Sequence, residues 1–259
     1  MTSPAEPGTA GAAGPAGADR RAELARNLAA VRARVAAACA AAGRDAGEIT
    51  LIAVTKTRPA ADAVALAGLG LADFGENRDQ EAAPKAAAVA EATPAAVTWH
   101  FIGQLQTNKA ASVVRYASVV HSVDRVRLVR ALGAAARAAP AARASTGARA
   151  LSCLVQVSLD GDPSRGGVPV GGLPQVGAAI EAEVGLVLGG VMAVAPLGVP
   201  PETAFASLRA ISGTVREINP AATIISAGMS GDLAAAVQNG ATHLRIGTAL
   251  LGNRSLPVL

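Results

Sequence analysis

The sequence predicts an α/β protein built as a single (β/α)8 barrel of the TIM type. Eight short runs rich in Val, Ile and Leu recur along the chain, and segments of helical periodicity lie between them. Parallel strands need crossover helices, and eight strands in roughly 210 residues suffice to close a sheet. No Gly-x-Gly-x-x-Gly follows the first run, which counts against the alternative, an open doubly wound sheet. The 259 residues suit one such barrel or two smaller domains, and 51% hydrophobic content with 16% charged residues describes a soluble globular protein with a large core. With only 2% aromatic residues, that core must be made of Ala, Val, Leu and Ile, so its helices should pack closely.

Residues 1–19 are rich in Ala, Gly and Pro and read as a disordered tail. They lack the charged start and unbroken apolar stretch of a signal peptide. The barrel domain should then cover 20–255. A helix at 20–42 carries Leu24, Leu28, Val31 and Val35 at spacings of three or four and stops at Gly43. Strands are expected at 50–55, 72–75, 98–102, 118–121, 151–157, 186–193, 223–226 and 243–246, with helices at 79–92, 124–138, 173–184, 203–218 and 232–238. No run stays apolar long enough to span a bilayer.

Of 23 basic residues only Lys56, Lys85 and Lys109 are lysines. A lysine kept where arginine prevails can be needed as an amine, because a primary amine condenses with an aldehyde and a guanidinium does not. Lys56 ends the first strand and precedes the turn Thr57-Arg58-Pro59, which places it at the mouth of a buried strand. A surface lysine that merely caps the strand fits the same position.

In a barrel the residues after each strand form one face, which carries the chemistry. Lys56, Gly75-Glu76-Asn77, the stretch 103–109, the stretch 226–232 and Gly247-Thr248 all fall there. Small-residue turns after strands seven and eight suit a phosphate, held by bare backbone N–H groups and hydroxyls. Ser226, Gly228, Gly247 and Thr248 provide them. Equally, Gly228 and Gly247 can simply make tight turns while Ser230 or Asp232 caps a helix. Arg245 alternates with Leu244 and so points into the barrel, either in an ion pair with a carboxylate or toward a ring nitrogen of a cofactor.

Cys39 and Cys153 fall in a helix and an apolar strand, as buried thiols rather than a disulfide or metal pair, consistent with a reducing cytoplasm. A net charge of +4 without a basic block or interleaved aromatics gives no nucleic-acid surface.

Ala53-Val54-Thr55-Lys56, Phe74-Gly75-Glu76-Asn77, Trp99-His100-Phe101-Ile102-Gly103 with Leu105-Gln106 and Asn108-Lys109, Ser122-Val123-Asp124-Arg125, the stretch 226–230, and Arg245-Ile246-Gly247-Thr248-Ala249 with Gly252 and Arg254 together resemble the pyridoxal phosphate homeostasis proteins (YggS/PROSC type). The resemblance runs from about residue 22 to 254. It implies a barrel like the N-terminal domain of alanine racemase, with pyridoxal 5'-phosphate as an internal aldimine on Lys56. It further implies that Ser226, Gly247 and Thr248 hold the phosphate, Arg245 faces the pyridine nitrogen, and Asn77 lies near the ring and aldimine. Two positions depart from the family: Arg78 replaces an aromatic residue and Arg165 a lysine, which removes a second aldehyde acceptor.

By the same resemblance the protein is a monomeric cytoplasmic carrier that buffers the cofactor and delivers it to apo-enzymes, without metal and without robust turnover. An amino-acid racemase is the competing reading, and an aldolase using Lys56 on a phosphorylated sugar a third. Against racemisation, the chain has one tyrosine, Tyr116, and ends shortly after its last strand, so the opposite-face base is missing. An arginine at the ring nitrogen also disfavours ring protonation and makes the cofactor a poorer electron sink.

Overall fold

The protein was analysed as a computed structural model, which describes residues 15–146, 150–162 and 165–252. Eight strands, β1 (Thr50–Val54), β2 (Asp73–Glu76), β3 (Thr98–Phe101), β4 (Ala117–Val123), β5 (Leu151–Gln156), β6 (Leu186–Met192), β7 (Ile224–Ser226) and β8 (His243–Ile246), pair in sequence order into a closed barrel. Every pairing is parallel, and β1 closes on β8 with Ile52 beside Arg245. The doubly wound alternative is therefore excluded.

The helical layer differs from the expected one at its ends. Helix α1 (Pro15–Ala41) starts five residues before position 20, so 15–19 belong to a helix rather than to a tail; residues 1–14 lie outside the described residues. The chain then runs through α2 (Ala60–Ala67), α3 (Asp79–Ala92), α4 (Ala110–Val113), α5 (Val126–Ala138), α6 (Pro140–Ser145), α7 (Leu173–Glu181), α8 (Pro201–Ile218), α9 (Leu233–Gln238) and α10 (Thr248–Leu251).

Since α10 has four residues, it cannot cover the outside of β8. The N-terminal helix α1 does so instead, packing on α9, α10 and α2 with Leu24, Leu28, Val31 and Val35 buried. Each of those side chains contributes about 1.5–3 kcal/mol of burial. Polar contacts fix its placement: Arg20 reaches Asp62 at 2.6 Å and the Leu251 carbonyl at 3.2 Å, while Asn27 donates to the Leu250 carbonyl at 2.9 Å.

Strand alternation divides the buried residues into two sets. The larger lies between sheet and helices and holds Phe74, Trp99, Phe101, Cys39 and Cys153. Both cysteines are free and buried, and burial pushes the Cys153 thiol up to about 12. The smaller set, Val119, Leu154, Met192 and Ile224, fills one half of the barrel interior. Polar side chains from β2, β3, β4, β7 and β8 occupy the other half. Among the described residues, no helix is long and apolar enough to cross a membrane.

One ion pair ties the helical layer to the ends of β1 and β2. Lys85 of α3 donates to Glu76 Oε1 at 2.5 Å and to the Thr55 carbonyl at 2.7 Å, and Thr55 Oγ1 donates to the same carboxylate oxygen at 2.7 Å. Lys85 is 7% exposed and Glu76 fully buried. Removing one member of a buried pair strands the other charge. Lys85→Met should therefore lower unfolding free energy by about 3 kcal/mol in urea titrations, and adding Glu76→Gln should recover part of it. Equal stabilities of the parent and Lys85→Met would show that the pair does not hold α3 in place.

Candidate functional site

Lys56 emerges directly after β1, one residue beyond Thr55, which the ion pair holds. The following residue, Thr57, has φ 62°, a left-handed conformation that costs a β-branched residue about 1–2 kcal/mol. Its N–H is fixed by Glu81 Oε2 at 3.0 Å. The side chain of Lys56 lines a cavity of about 230 Å³ together with Val54, Arg58, Gly247, Thr248 and Leu251. It makes no hydrogen bond or ion pair among the described residues.

Gly247 and Thr248 stand opposite Lys56, where β8 turns into α10. The Gly247 carbonyl accepts from Leu250 and Leu251, whereas the N–H groups of Gly247 and Thr248 have no partner among the described residues. The hydroxyl that meets this turn is Ser230: its Oγ accepts the Ala249 N–H at 3.2 Å. Bare N–H groups beside hydroxyls form a concavity for an anion.

Asn77 follows β2 and lines a neighbouring cavity of about 480 Å³ with Gln104, Gln106 and Lys109. Its Oδ1 is buried without a partner. Gly103 holds Asn77 there, since a Cβ at that position would lie 2.1 Å from the Asn77 carbonyl oxygen. Two residues do not lie where the turn reading put them. Ser226 is fully buried inside the barrel, bonded to His121 Nδ1 at 2.9 Å and accepting from Arg245 Nη1 at 2.6 Å. Ser226 does not line the cavity of Lys56, and the hydroxyl that meets the turn after β8 is that of Ser230. Gly228 is a packing residue: with φ 90°, its carbonyl accepts the Arg245 N–H, and a Cβ would lie 2.6 Å from Ala236.

Arg245 points into the barrel as alternation required, but its partners are the Ser226 hydroxyl and the Ala193 carbonyl, at 2.9 Å, rather than a carboxylate. Burial lowers its pKa to about 10, which leaves it cationic at neutral pH. Of the family departures, Arg78 is turned outward to Glu81, and Arg165 is tied to Asp160 and the Ala195 carbonyl. Tyr116 lies away from Lys56, in a groove beside α3 with Trp99, its hydroxyl 3.4 Å from Asp79. Sequence reasoning missed all three histidines. His100, His121 and His243 sit within 6.5 Å of each other by ring centroids, and their positions two residues from other inward-facing side chains are a signal that strand alternation carried.

Fold and site together define a single-barrel protein of the alanine racemase N-terminal domain class, and that family matches residues 22–255. At finer grain, the chain belongs to the pyridoxal phosphate homeostasis protein family. A protein of that name from Mycobacterium tuberculosis is 46% identical over 248 residues, covering 92% of this chain and 95% of its own length. The structure of PipY from Synechococcus elongatus, with pyridoxal phosphate bound, is similar at TM-score 0.71 and 32% identity, covering 88% of this chain and all of that one. Alanine racemase from Corynebacterium glutamicum shares the fold at TM-score 0.63 and 15% identity, covering 92% of this chain and 62% of that one.

The interior histidines make acid stability testable. Burial first, then the charges of His100 and Arg245, lower His243 from 6.5 to about 4, with Asp73 opposing; His121 is pushed down by the same causes. Between pH 6.5 and 4 the unfolded chain therefore binds protons that the folded one refuses. Stability should be full above pH 6.5 and fall as pH drops toward 4, and His243→Gln should flatten that slope. Urea midpoints across this range check it; an unchanged slope in the variant would contradict the cause assigned.

Proposed function

We propose that the protein binds pyridoxal 5'-phosphate at the C-terminal mouth of the barrel, with Lys56 as the covalent attachment point, and acts as a reservoir that passes the cofactor to apo-enzymes. The observation that carries this reading is the unpartnered Lys56 amine, which lines one cavity with the free N–H groups of Gly247 and Thr248. An amine for an aldehyde and a donor set for a dianion then face each other across about 230 Å³. The donor chemistry fits the cofactor, and relatives carrying its name and a relative solved with it bound support the choice.

When bound, pyridoxal phosphate supplies a reactive aldehyde and an electron-withdrawing ring. The chain's own residues divide the remaining tasks. Gly247, Thr248 and Ser230 hold the phosphate; Asn77 offers its unpaired Oδ1 to a donor near the ring; Arg245 presents a fixed cation to the ring nitrogen and so discourages its protonation. Ser226 and Gly228 act one layer deeper, by placing Arg245. Lys85 is withheld by its ion pair and Lys109 lines the neighbouring cavity, so Lys56 is the lysine that lines the cavity of Gly247 and Thr248. In our reading the carrier works as a monomer in the cytoplasm.

Racemisation needs a base on the face of the cofactor opposite the lysine. Tyr116 is not one, because it lies in the groove beside α3 and its burial and the Asp79 carboxylate raise its pKa strongly. L-alanine and L-serine should therefore show turnover below about 1 per second, the lower range for a dedicated enzyme. D-amino-acid assays run beside apo-enzyme reactivation check this; faster racemisation would replace the carrier with a racemase.

The purified protein loaded with cofactor should show a visible absorption band, and borohydride should fix the label on Lys56 alone. Lys56→Ala should abolish both, and Thr248→Ala should weaken retention by about 1–2 kcal/mol, the value of one charge-assisted hydrogen bond. Peptide mapping decides the first point: label on Lys85 or Lys109 contradicts the assignment. Pyridoxal binding as tightly as its phosphate would remove the anion site.

A further inference from the structure

Five polar side chains from five strands form one unbranched line across the barrel interior. Asp73 Oδ1 meets His100 Nε2 at 2.9 Å, His100 Nδ1 meets His121 Nε2 at 2.9 Å, His121 Nδ1 meets Ser226 Oγ at 2.9 Å, and Ser226 Oγ meets Arg245 Nη1 at 2.6 Å. The middle members are sealed from water: His100 is 2% exposed, His121 and Ser226 not at all. Asp73 alone approaches the surface, with a quarter of its side chain exposed.

With both rings neutral, the carboxylate end fixes the direction of every link. A carboxylate only accepts, so His100 donates its Nε2 proton to Asp73 and leaves its Nδ1 bare. His121 then carries its proton on Nε2 and donates it to His100 Nδ1, which leaves His121 Nδ1 to accept the Ser226 hydroxyl hydrogen. A guanidinium only donates, and a lone pair of Ser226 Oγ accepts from Arg245. All four bonds are satisfied with both rings neutral, and neutrality agrees with the burial that disfavours a charged His121. The bond dipoles align head to tail, with their negative ends toward Arg245. This matters because, among the described residues, the guanidinium has no carboxylate within hydrogen-bonding distance: its partners are a hydroxyl and a carbonyl.

We propose that Asp73, His100 and His121 are positioning residues for Arg245, a one-way hydrogen-bond relay that brings the acceptor character of a carboxylate to a guanidinium it does not touch. On the pyridoxal phosphate reading above, on which this last step rests, Arg245 is the cation that meets the ring nitrogen, and the relay would fix it there. Hydrogen-bonded groups in series polarise one another, so the final acceptor, Ser226, binds the cation more strongly than an isolated hydroxyl.

The test begins without cofactor. Long-range 1H–15N spectra of histidine-labelled protein at pH 7 should show His100 and His121 neutral, each protonated on Nε2. A proton on Nδ1 of either ring, or an imidazolium, would overturn the relay whatever the protein binds. The second arm uses protein loaded with pyridoxal phosphate. Asp73→Asn keeps an acceptor and should keep both tautomers, while Asp73→Leu should mix them, shift the cofactor's absorption maximum and speed its release about tenfold, as for one lost hydrogen bond. Unchanged release and absorption in Asp73→Leu would sink the positioning role even with the tautomers as stated. Should that variant fail to fold, His121→Asn, which can still accept from Ser226 but falls short of His100, is read by the same criteria. If the parent takes up no pyridoxal phosphate while its tautomers are as stated, the cofactor reading fails and the relay remains.

Discussion

A cation is buried inside this barrel with no carboxylate hydrogen-bonded to it among the described residues, and much of the interior is arranged around that constraint. Arg245 is 5% exposed, and among the described residues its guanidinium is bonded to Ser226 and the Ala193 carbonyl. An unpaired buried charge costs several kcal/mol unless hydrogen bonds and dipoles are aimed at it. The interior therefore divides into an apolar half, Val119, Leu154, Met192 and Ile224, and a polar half that ends on the guanidinium. Gly228 belongs to the same arrangement, since its positive φ lets its carbonyl take the Arg245 N–H.

A second constraint acts at the rim. The amine of Lys56 is left free by fixing everything next to it: Thr55 by Lys85 and Glu76, Thr57 by Glu81 in a left-handed conformation. Strain of that kind persists only where surrounding contacts over-determine the backbone, and it gathers at functional sites. The three lysines consequently do three different things. Lys56 stays unpaired, Lys85 is a buried point charge with three donors to place, and Lys109 lines the neighbouring cavity.

Closure of the fold has its own economy. The strand that carries Arg245 runs through Gly247 into a helix, begun by Thr248, that is too short to cover it, and the long N-terminal helix α1 takes that place. Arg20 and Asn27 of α1 bond directly to the last carbonyls of α10. The turn proposed to hold the phosphate is thus braced by the first helix of the chain, which links the barrel's closure to its site.

The sequence by itself determined the strand count, the parallel order, the place of Lys56 just past β1 and the inward turn of Arg245. Each is set by local spacing: a period of two along strands, helical intervals between them, and punctuation by Gly and Pro. Tertiary structure decided what no local pattern holds. That α1 seals the outside of β8, that Ser226 serves Arg245 while Ser230 meets the α10 turn, and that Lys85 is spent on Glu76 all depend on where the barrel's stagger brings distant residues. The three histidines show the difference most clearly. Each lies on a different strand, and only closure of the sheet set His121 between His100, 21 positions before it, and Ser226, 105 positions after it. Hydrogen-bonding partners are chosen by distance in space, and in a closed sheet that distance is unrelated to separation along the chain.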